Sequence, residues 1–503
     1  MIKKILFASV IFSILVLGQS SLETQLQSIK KKYNLVGMSV VVVNDTSIIF
    51  AEGFGKRDVA RDLPMEAGTQ YRIASISKMI SATALMKLYD EGKFQLDDDI
   101  SDYLGYSFRN PKYPNQKITF RRLMSHTSSI RDGAKYSTFL SAGYSQSNPP
   151  SIRELFLPGG SYYNADIWSS KSPDSHYFQY ANANFGVVAS LVEILSGKRF
   201  DQYCREELFQ PLGMKSDFNV AQLEDIDNLA ALYRKNGINW VSQADEYKGV
   251  KPAERDLSDY TLGDNGFIFG PQGGLRASAL DLANFLVLHK NNGQFRGQQI
   301  LSDSTMQRMH ETVWQKNGDN GNNYYGIFNA YALGNSTTEN LLEGIPMIGH
   351  PGEAYGLISD LYYSKDEGFG IVFLTNGGEW GNGAYSGWYN VEEEVYNACY
   401  HDLTNPTNIY QNEKQPVEFK ITKIYPNPFN PDTVISFYIH TPSKVRLEIY
   451  NLEGKLVKTI KNNYSETGYH SVKFDAAGLA SGIYFCHLVT KDFVDSKRIV
   501  LLK

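Results

Sequence analysis

Apolar residues run almost unbroken from Ile5 to Leu17, interrupted only by Ser9 and Ser13, behind a short positive region at Lys3 and Lys4. Small residues follow at Gly18, Ser20 and Ser21, where a signal peptidase can cut. The run is short for a membrane span, and the pattern reads as a secretory signal peptide over residues 1–20. A charged helical stretch, Gln25 to Tyr33, comes next. Gly37 to Asn44 (GMSVVVVN) then predicts a buried strand, because its β-branched apolar character is continuous. The Asn44-Asp45 turn leads into a second strand over Thr46 to Phe50, making a hairpin. A long mixed region of helix and loop extends to about Asn340, with an exposed polar loop at Asn317 to Asn323. Leu357 to Tyr363 and Phe369 to Leu374 are predicted strands joined by the polar turn Ser364 to Gly368, and Asn390 to Tyr400 is helical in character. Strands and helices at both ends, with mostly helix and loop between, suit an α/β sandwich carrying an inserted helical region.

The pattern changes after Asp402. Residues 402–418 are polar, carry Pro406 and Pro416, and read as a linker. Beyond it, Val434 to Ile439, Lys444 to Tyr450, Leu456 to Ile460 and Ile483 to Val489 alternate apolar and polar residues. Turn pairs fall between them at Glu453-Gly454, Thr467-Gly468 and Ser481-Gly482. Short strands at this spacing predict a small all-β sandwich over residues 419–503.

Composition narrows the partners. The net charge is −5 and no long basic run occurs, which argues against nucleic acid. No stretch after the leader is apolar enough for stable membrane insertion. Cys204, Cys399 and Cys486 are widely separated and read as buried small hydrophobes. Neither HExxH nor a Cys/His cluster is present, so no metal and no cofactor is expected.

The chemistry begins at Ser75-Ile76-Ser77-Lys78. Met79 to Glu91 is rich in helix formers and stops at Gly92, so Ser75 falls at the first turn of a buried helix. Residues three apart share a helical face, which lets Lys78 reach the Ser75 oxygen. A serine hydroxyl needs a base to become a nucleophile, and a lysine serves once burial has lowered its pKa. Ser28 and Lys31 share the spacing, but they lie in a charged, exposed-looking segment. Tyr180-Ala181-Asn182 precedes a second apolar helix, Phe185 to Leu195, stopped at Gly197. Tyr180 can shuttle a proton, and Asn182 can bind both groups of a substrate amide. His350-Pro351-Gly352 precedes the strand at Leu357. A small residue there lets a ligand lie against the backbone, and the N–H of Glu353 can join that of Ser75 in an oxyanion hole.

Taken in order, Ser75, Tyr180 and His350 with their surroundings resemble the serine beta-lactamase class C family. That family also holds penicillin-binding D,D-peptidases, carboxylesterases and D-amino-acid peptidases. The resemblance spans residues 22–401 and rests on Tyr71 to Lys78 (YRIASISK), Ile118 to Ile130 (ITFRRLMSHTSSI), Tyr180 to Gly197, Gln210 to Met214 (QPLGM) and Gly273 to Ala277 (GGLRA). It implies an α+β fold: a beta-lactamase/transpeptidase-like αβα sandwich, antiparallel sheet flanked by helices, with a helical subdomain and then the small all-β sandwich. It implies acylation of Ser75 by a small peptide, amide or ester, followed by hydrolysis, with Lys78 and Tyr180 sharing proton transfer. Which of the two is the base stays open. Asn182, His350, Gly352 and Glu353 would bind substrate, and His126 would be structural. The family's usual third motif is Lys-Thr-Gly, and here it is His350-Pro351-Gly352. That departure leans the reading toward an esterase or peptidase. A beta-lactamase or D,D-carboxypeptidase, with Arg276 supplying the missing cation, is the alternative. A non-catalytic ligand-binding surface protein is another. The region from Ala221 to Ile268 and the loop at Asn317 to Asn323 are expected to shape the pocket.

The last segment resembles the sorting domain of the type IX secretion system through Tyr425 to Pro431 (YPNPFNP), Leu447 to Gly454 (LEIYNLEG), Ser481 to Phe485 (SGIYF) and Lys497 to Lys503 (KRIVLLK). This implies passage through the periplasm of a Gram-negative bacterium and export to the surface or medium by that machinery. Deleting Ile421 to Lys503 is expected to hold the protein in the periplasm. Immunodetection in cell fractions checks this, and normal release of the truncated chain would remove the assignment.

Overall fold

The computed structural model describes residues 21–44, 47–146, 148–404, 419–439, 441–465, 468–491 and 493–502. The expected signal peptide and nearly all of the expected linker lie outside the described residues, as do Asp45 and Thr467 of two expected turns. The described chain forms two compact units, one ending at 404 and one beginning at 419.

The first unit is organised by a nine-stranded sheet. Its N-terminal strands are β1 (Gly37–Asn44), β2 (Ser47–Asp58) and β3 (Leu63–Pro64). Its later strands are β4 (Trp314–Gln315), β5 (Ala330–Tyr331), β6 (Ser336–Thr338), β7 (Met347–Ala354), β8 (Leu357–Ser364) and β9 (Phe369–Thr375). The order is β4-β5-β6-β7-β8-β9-β1-β2-β3, and every neighbouring pair is antiparallel. Pairing of β1 with β9, in register from Met38 opposite Thr375 to Asn44 opposite Phe369, joins the two ends of the unit.

Both faces of this sheet are covered, which is why β1 is apolar without alternation. Val40 and Val42 pack with Leu22, Leu26 and Ile29 of α1 (Leu22–Lys32) and with Val391, Val395 and Cys399. Val41 and Val43 point the other way, into a larger core with α2 (Ile76–Asp90), α3 (Ala183–Ser196) and α4 (Ala279–Lys290). The helix expected at Asn390 to Tyr400 is α5 (Asn390–Thr404). β2 runs well past the expected Phe50 to Asp58. Glu52, Lys56 and Arg57 hide its apolar rhythm, yet they stay half-buried along their stems.

The second unit pairs two sheets. One is three-stranded: β10 (Lys420–Tyr425), β11 (Asp432–Ile439) and β14 (Gly468–Asp475), in the order β10-β11-β14. The other is four-stranded: β12 (Ser443–Tyr450), β13 (Leu456–Ser465), β15 (Gly482–Val489) and β16 (Val494–Leu501), in the order β13-β12-β15-β16. Alternate residues face inward, among them Ile435, Phe437 and Ile439 from β11 and Val445, Leu447 and Ile449 from β12. All three cysteines are free and buried, Cys204 and Cys399 in the first unit and Cys486 in the second.

One buried pair in the first unit has a pH consequence. Asp360 of β8 lies against Glu392 of α5, and burial followed by mutual repulsion pushes Asp360 well above the usual carboxylate range. Burial raises Glu392 to about 8. The folded state therefore holds protons that the unfolded chain releases above about pH 4. Stability contributed by this pair is complete at low pH and falls as pH rises toward 8. Asp360→Asn removes one of these protons. It is expected to raise the melting temperature relative to wild type at pH 8 by more than at pH 5, as thermal unfolding at the two pH values will show.

Candidate active site

Ser75 sits immediately before α2, after Ala74, whose φ of +48° is a left-handed conformation unusual for a residue with a Cβ. That bend turns the chain abruptly from Gln70–Arg72 into the helix and leaves the serine at the helix mouth. The Ser75 hydroxyl makes no capping bond. Instead it accepts a hydrogen bond from Lys78 Nζ at 2.8 Å. The same Nζ donates to the backbone oxygen of Gln272 at 2.7 Å. Lys78 is fully buried, and burial lowers its pKa to about 7, with Asp132 acting in the opposite sense. Its ammonium stands 4.9 Å from the centre of the Tyr180 ring.

Tyr180 approaches from the segment before α3, stacked on Phe328 at 5.1 Å and against His126 at 4.3 Å. Burial pushes its phenol well above the ordinary value, and a hydrogen bond with Ser75 works against that shift. The structure therefore brings Ser75, Lys78 and Tyr180 together. Asn182 is the residue before α3, and its Nδ2 donates to Asp132 Oδ2 at 2.8 Å. The backbone N–H groups of Asn182 and Ala183 donate to the same carboxylate at 3.0 and 2.8 Å. Asp132 thus caps α3 from outside the helix and fixes the Asn182 amide. Neither Asp132 nor Gln272 belongs to the short motifs that draw attention in the sequence. Asp132 lies two residues beyond the Ile118 to Ile130 phrase, and Gln272 one residue before GGLRA.

The third element differs from its sequence reading. His350, Pro351 and Gly352 precede the expected strand at Leu357, now β8, but they also lie within a strand of their own, β7. Beyond Gly349, β7 has no partner in β6, so this half forms an open edge. Gly352 brings that edge against Ser75. A Cβ there would stand 2.7 Å from the Ile73 oxygen and 3.0 Å from the Ser75 nitrogen, so any side chain would push the edge away. His350 is fully buried, with Nε2 3.0 Å from the Tyr331 hydroxyl and Nδ1 2.6 Å from the Pro351 oxygen. Burial, reinforced by Lys78, lowers its pKa to about 3, so the ring is neutral. The Glu353 side chain accepts from the Tyr389 hydroxyl at 3.1 Å.

His126 is buried, and its Nδ1 accepts from the Ala181 N–H at 3.2 Å, which supports the Tyr180 segment from below. Ser28 and Lys31 are exposed on α1. Arg276 is held by Asp245 at 3.1 and 2.6 Å.

The half-buried serine at a helix mouth, the buried lysine bonded to it and the open strand edge facing them form a candidate Ser-x-x-Lys site. A family model described as Beta-lactamase matches residues 22–395, and the chain belongs to that family. A second model, Secretion system C-terminal sorting domain, matches residues 423–502. The second unit is therefore a type IX sorting domain that directs the protein to the cell surface or exterior. Penicillin-binding protein 4 of Amycolatopsis lactamdurans is 24% identical over 316 residues, 61% of this chain and 72% of the relative. Protein flp of Staphylococcus aureus (strain MW2) is 23% identical over 198 residues, 39% of this chain. Putative penicillin-binding protein PbpX of Bacillus subtilis (strain 168) is 27% identical over 191 residues. The matches to these last two span only 38% and 43% of the relatives' lengths. Among solved structures, D-amino acid amidase from Ochrobactrum anthropi SV3, complexed with L-phenylalanine amide, superposes with a TM-score of 0.56 at 19% identity, over 76% of this chain and all of that one. The hydrolase EstCE1 gives 0.53 at 20% identity, over 75% and 98%. These likenesses establish the shared fold. No helix among the described residues is long and apolar enough to cross a membrane.

The Asp132 charge favours the protonated form of Lys78. Asp132→Asn is therefore expected to move the acidic limb of the pH–rate profile, centred near 7 in wild type, to lower pH. It is also expected to lower stability by about 1 kcal/mol through the weakened helix cap. Kinetics across pH, together with thermal melting, read the two effects separately.

Proposed function

We propose that the protein is an exported hydrolase that cleaves an amide or ester through a covalent acyl-enzyme on Ser75, of esterase or amidase type. The observation that carries this reading is Lys78 Nζ at 2.8 Å from Ser75 Oγ, with its pKa lowered to about 7. A lysine poised there is half neutral at neutral pH, as a general base requires.

The steps follow from the positions. A substrate lies along the open edge of β7 with its carbonyl over Ser75. As the Ser75 Oγ attacks the carbonyl carbon, its proton passes to Lys78 Nζ. The oxyanion accepts hydrogen bonds from the backbone N–H groups of Ser75 and Glu353, with the α2 dipole favouring negative charge at the same point. Collapse expels the amine or alcohol, which takes the proton by way of Tyr180. Water then attacks the acyl carbon and gives up a proton along the same path, the acid leaves and the serine is restored. Asn182, oriented by Asp132, binds the substrate's amide or ester group. His350 acts from behind as a positioning residue, setting the edge strand and the Tyr180 pocket.

The neutral, enclosed His350 supports the esterase or amidase reading over a D,D-peptidase. It offers no charge for a substrate carboxylate at the place where a lysine would stand. D-amino acid amidase and EstCE1 share the fold and are hydrolases by name, which agrees with this assignment.

Intact mass after exposure to a fluorophosphonate, and separately to a penicillin, tests the proposal. Wild type is expected to gain one fluorophosphonate adduct and Ser75→Ala none. A stable penicillin adduct would move the reading to cell-wall peptides. An adduct retained in Ser75→Ala would remove Ser75 from the mechanism.

A further inference from the structure

A second feature adjoins the serine. A cavity of about 190 Å³ is lined by Arg72, Tyr144, Phe218, Ile268, Phe269 and Arg276, among others, with the backbone of Gly270 and Gly274 completing its wall. That wall belongs to the segment that holds the catalytic lysine, since Gln272 supplies the oxygen that takes Lys78 Nζ. The next residue, Gly273, lies against Ala74, where a Cβ would stand 3.7 Å from the Ala74 carbonyl carbon. The cavity therefore adjoins the segment that packs against Ala74, and Arg72 lies three residues before Ser75.

Its charge is unbalanced. Arg276 is matched by Asp245 in a two-pronged pair at 3.1 and 2.6 Å. Arg72 has no such partner among the described residues. Its Nε donates to the Gly273 oxygen at 3.2 Å, and its guanidinium stands over the Tyr355 ring at 4.9 Å. Burial, followed by the neighbouring Arg276, works against the Arg72 cation, and Asp245, already paired with Arg276, acts in the opposite sense. Two desolvated guanidinium groups that share one carboxylate leave a net positive charge, and an anionic ligand balances it. Phe218, Ile268 and Phe269, all buried, add apolar side chains to the lining, and Tyr144 adds a phenol.

Direction along the substrate follows from the edge strand. Tyr180, which hands the proton to the departing group, packs toward His350 at the start of the open edge, with ring centres 6.0 Å apart. Tyr355, which covers Arg72, stands in the turn just past Ala354 at the other end. The leaving group therefore points toward His350, and the acyl group toward Arg72.

We propose that this cavity is an acyl-side subsite for a carboxylate, so that the preferred substrate carries a short acidic chain on the acyl side of the scissile bond, with Arg72 as its anchor. This rests on the acyl-enzyme reading of Ser75. A planar guanidinium fork matches a carboxylate in two bonds, and the apolar wall takes the methylenes that lead to it.

Mono-p-nitrophenyl glutarate and p-nitrophenyl pentanoate differ in the terminal group alone. Wild type is expected to favour the glutarate at least tenfold in kcat/KM. Arg72→Gln is expected to bring that ratio close to one, and Arg72→Lys to keep part of it. A wild-type ratio near one, or a ratio unchanged in Arg72→Gln, would overturn the proposal. Glutarate binding to Ser75→Ala protein, followed by calorimetry, reads the subsite without turnover. A loss of about tenfold on adding Arg72→Gln supports it, and absence of binding to Ser75→Ala overturns it. Failure of the Ser75 reading shows separately, as absence of the fluorophosphonate adduct.

Discussion

The arrangement depends on one buried amine. Lys78 Nζ sits between Ser75 Oγ and the Gln272 oxygen with no access to water. Holding it there lowers its pKa from an ordinary 10.5 to about 7, which at neutral pH corresponds to a penalty on the order of 4 kcal/mol in folding free energy. The sign is that of a group whose folded pKa is depressed, so its penalty fades as pH rises from 7 toward 10.5. That is a large fraction of the stability of an ordinary domain. The surrounding packing has to offset it. α2 is buried over nearly its whole length, and its neighbours α3 and α4 share its core. The helix that follows Ser75 is thus enclosed over most of its length, and the lowered pKa of Lys78 and the rigidity of the helix have the same origin.

The sheet gives that helix something to work against. Because β1 pairs with β9, the last strands return beside the first, and β7 is held at a fixed distance from Ser75. Ser359 Oγ on β8 donates to the Ile73 oxygen at 2.8 Å and ties the sheet to the segment that enters the nucleophile turn. Gly352 then lets the edge close in to backbone contact. In the proposed reaction, a substrate amide or ester meets two walls positioned by different parts of the chain, one carrying Ser75 and one presenting main-chain donors.

Local features of the fold were legible from residue pattern, and pairings distant in sequence were not. Gly37 to Asn44 announces itself as a strand through four valines in a row, and Gly197 marks the end of α3 with a φ of +69°. The alternation at Val434 to Ile439 likewise anticipates Ile435, Phe437 and Ile439 facing inward. By contrast, Pro351 and Gly352 read in the sequence as lying ahead of the strand at Leu357 and not in a strand themselves, because neither residue favours one. Only the open edge of β7, which asks for no N–H from Pro351, makes them compatible with one. Asp132 and Gln272 were invisible for a different reason. They act through a carboxylate that receives backbone N–H groups and through a main-chain oxygen, and such contacts are set by tertiary position and leave no motif. Arg276 illustrates the converse: its charge was plain in the sequence, and its partner Asp245 was not.

The cysteines give the protein a particular relation to the environment it is exported into. Cys204, Cys399 and Cys486 are buried thiols without a disulfide, and burial raises the pKa of each, to about 12 at Cys486. Thiolate is the form that oxidants and disulfides attack, and it is scarce at these sites. No disulfide ties either unit, so its integrity outside the cell is indifferent to the redox state of the medium. A thiol becomes reactive only when its unit opens, which makes every cysteine a silent clock of unfolding.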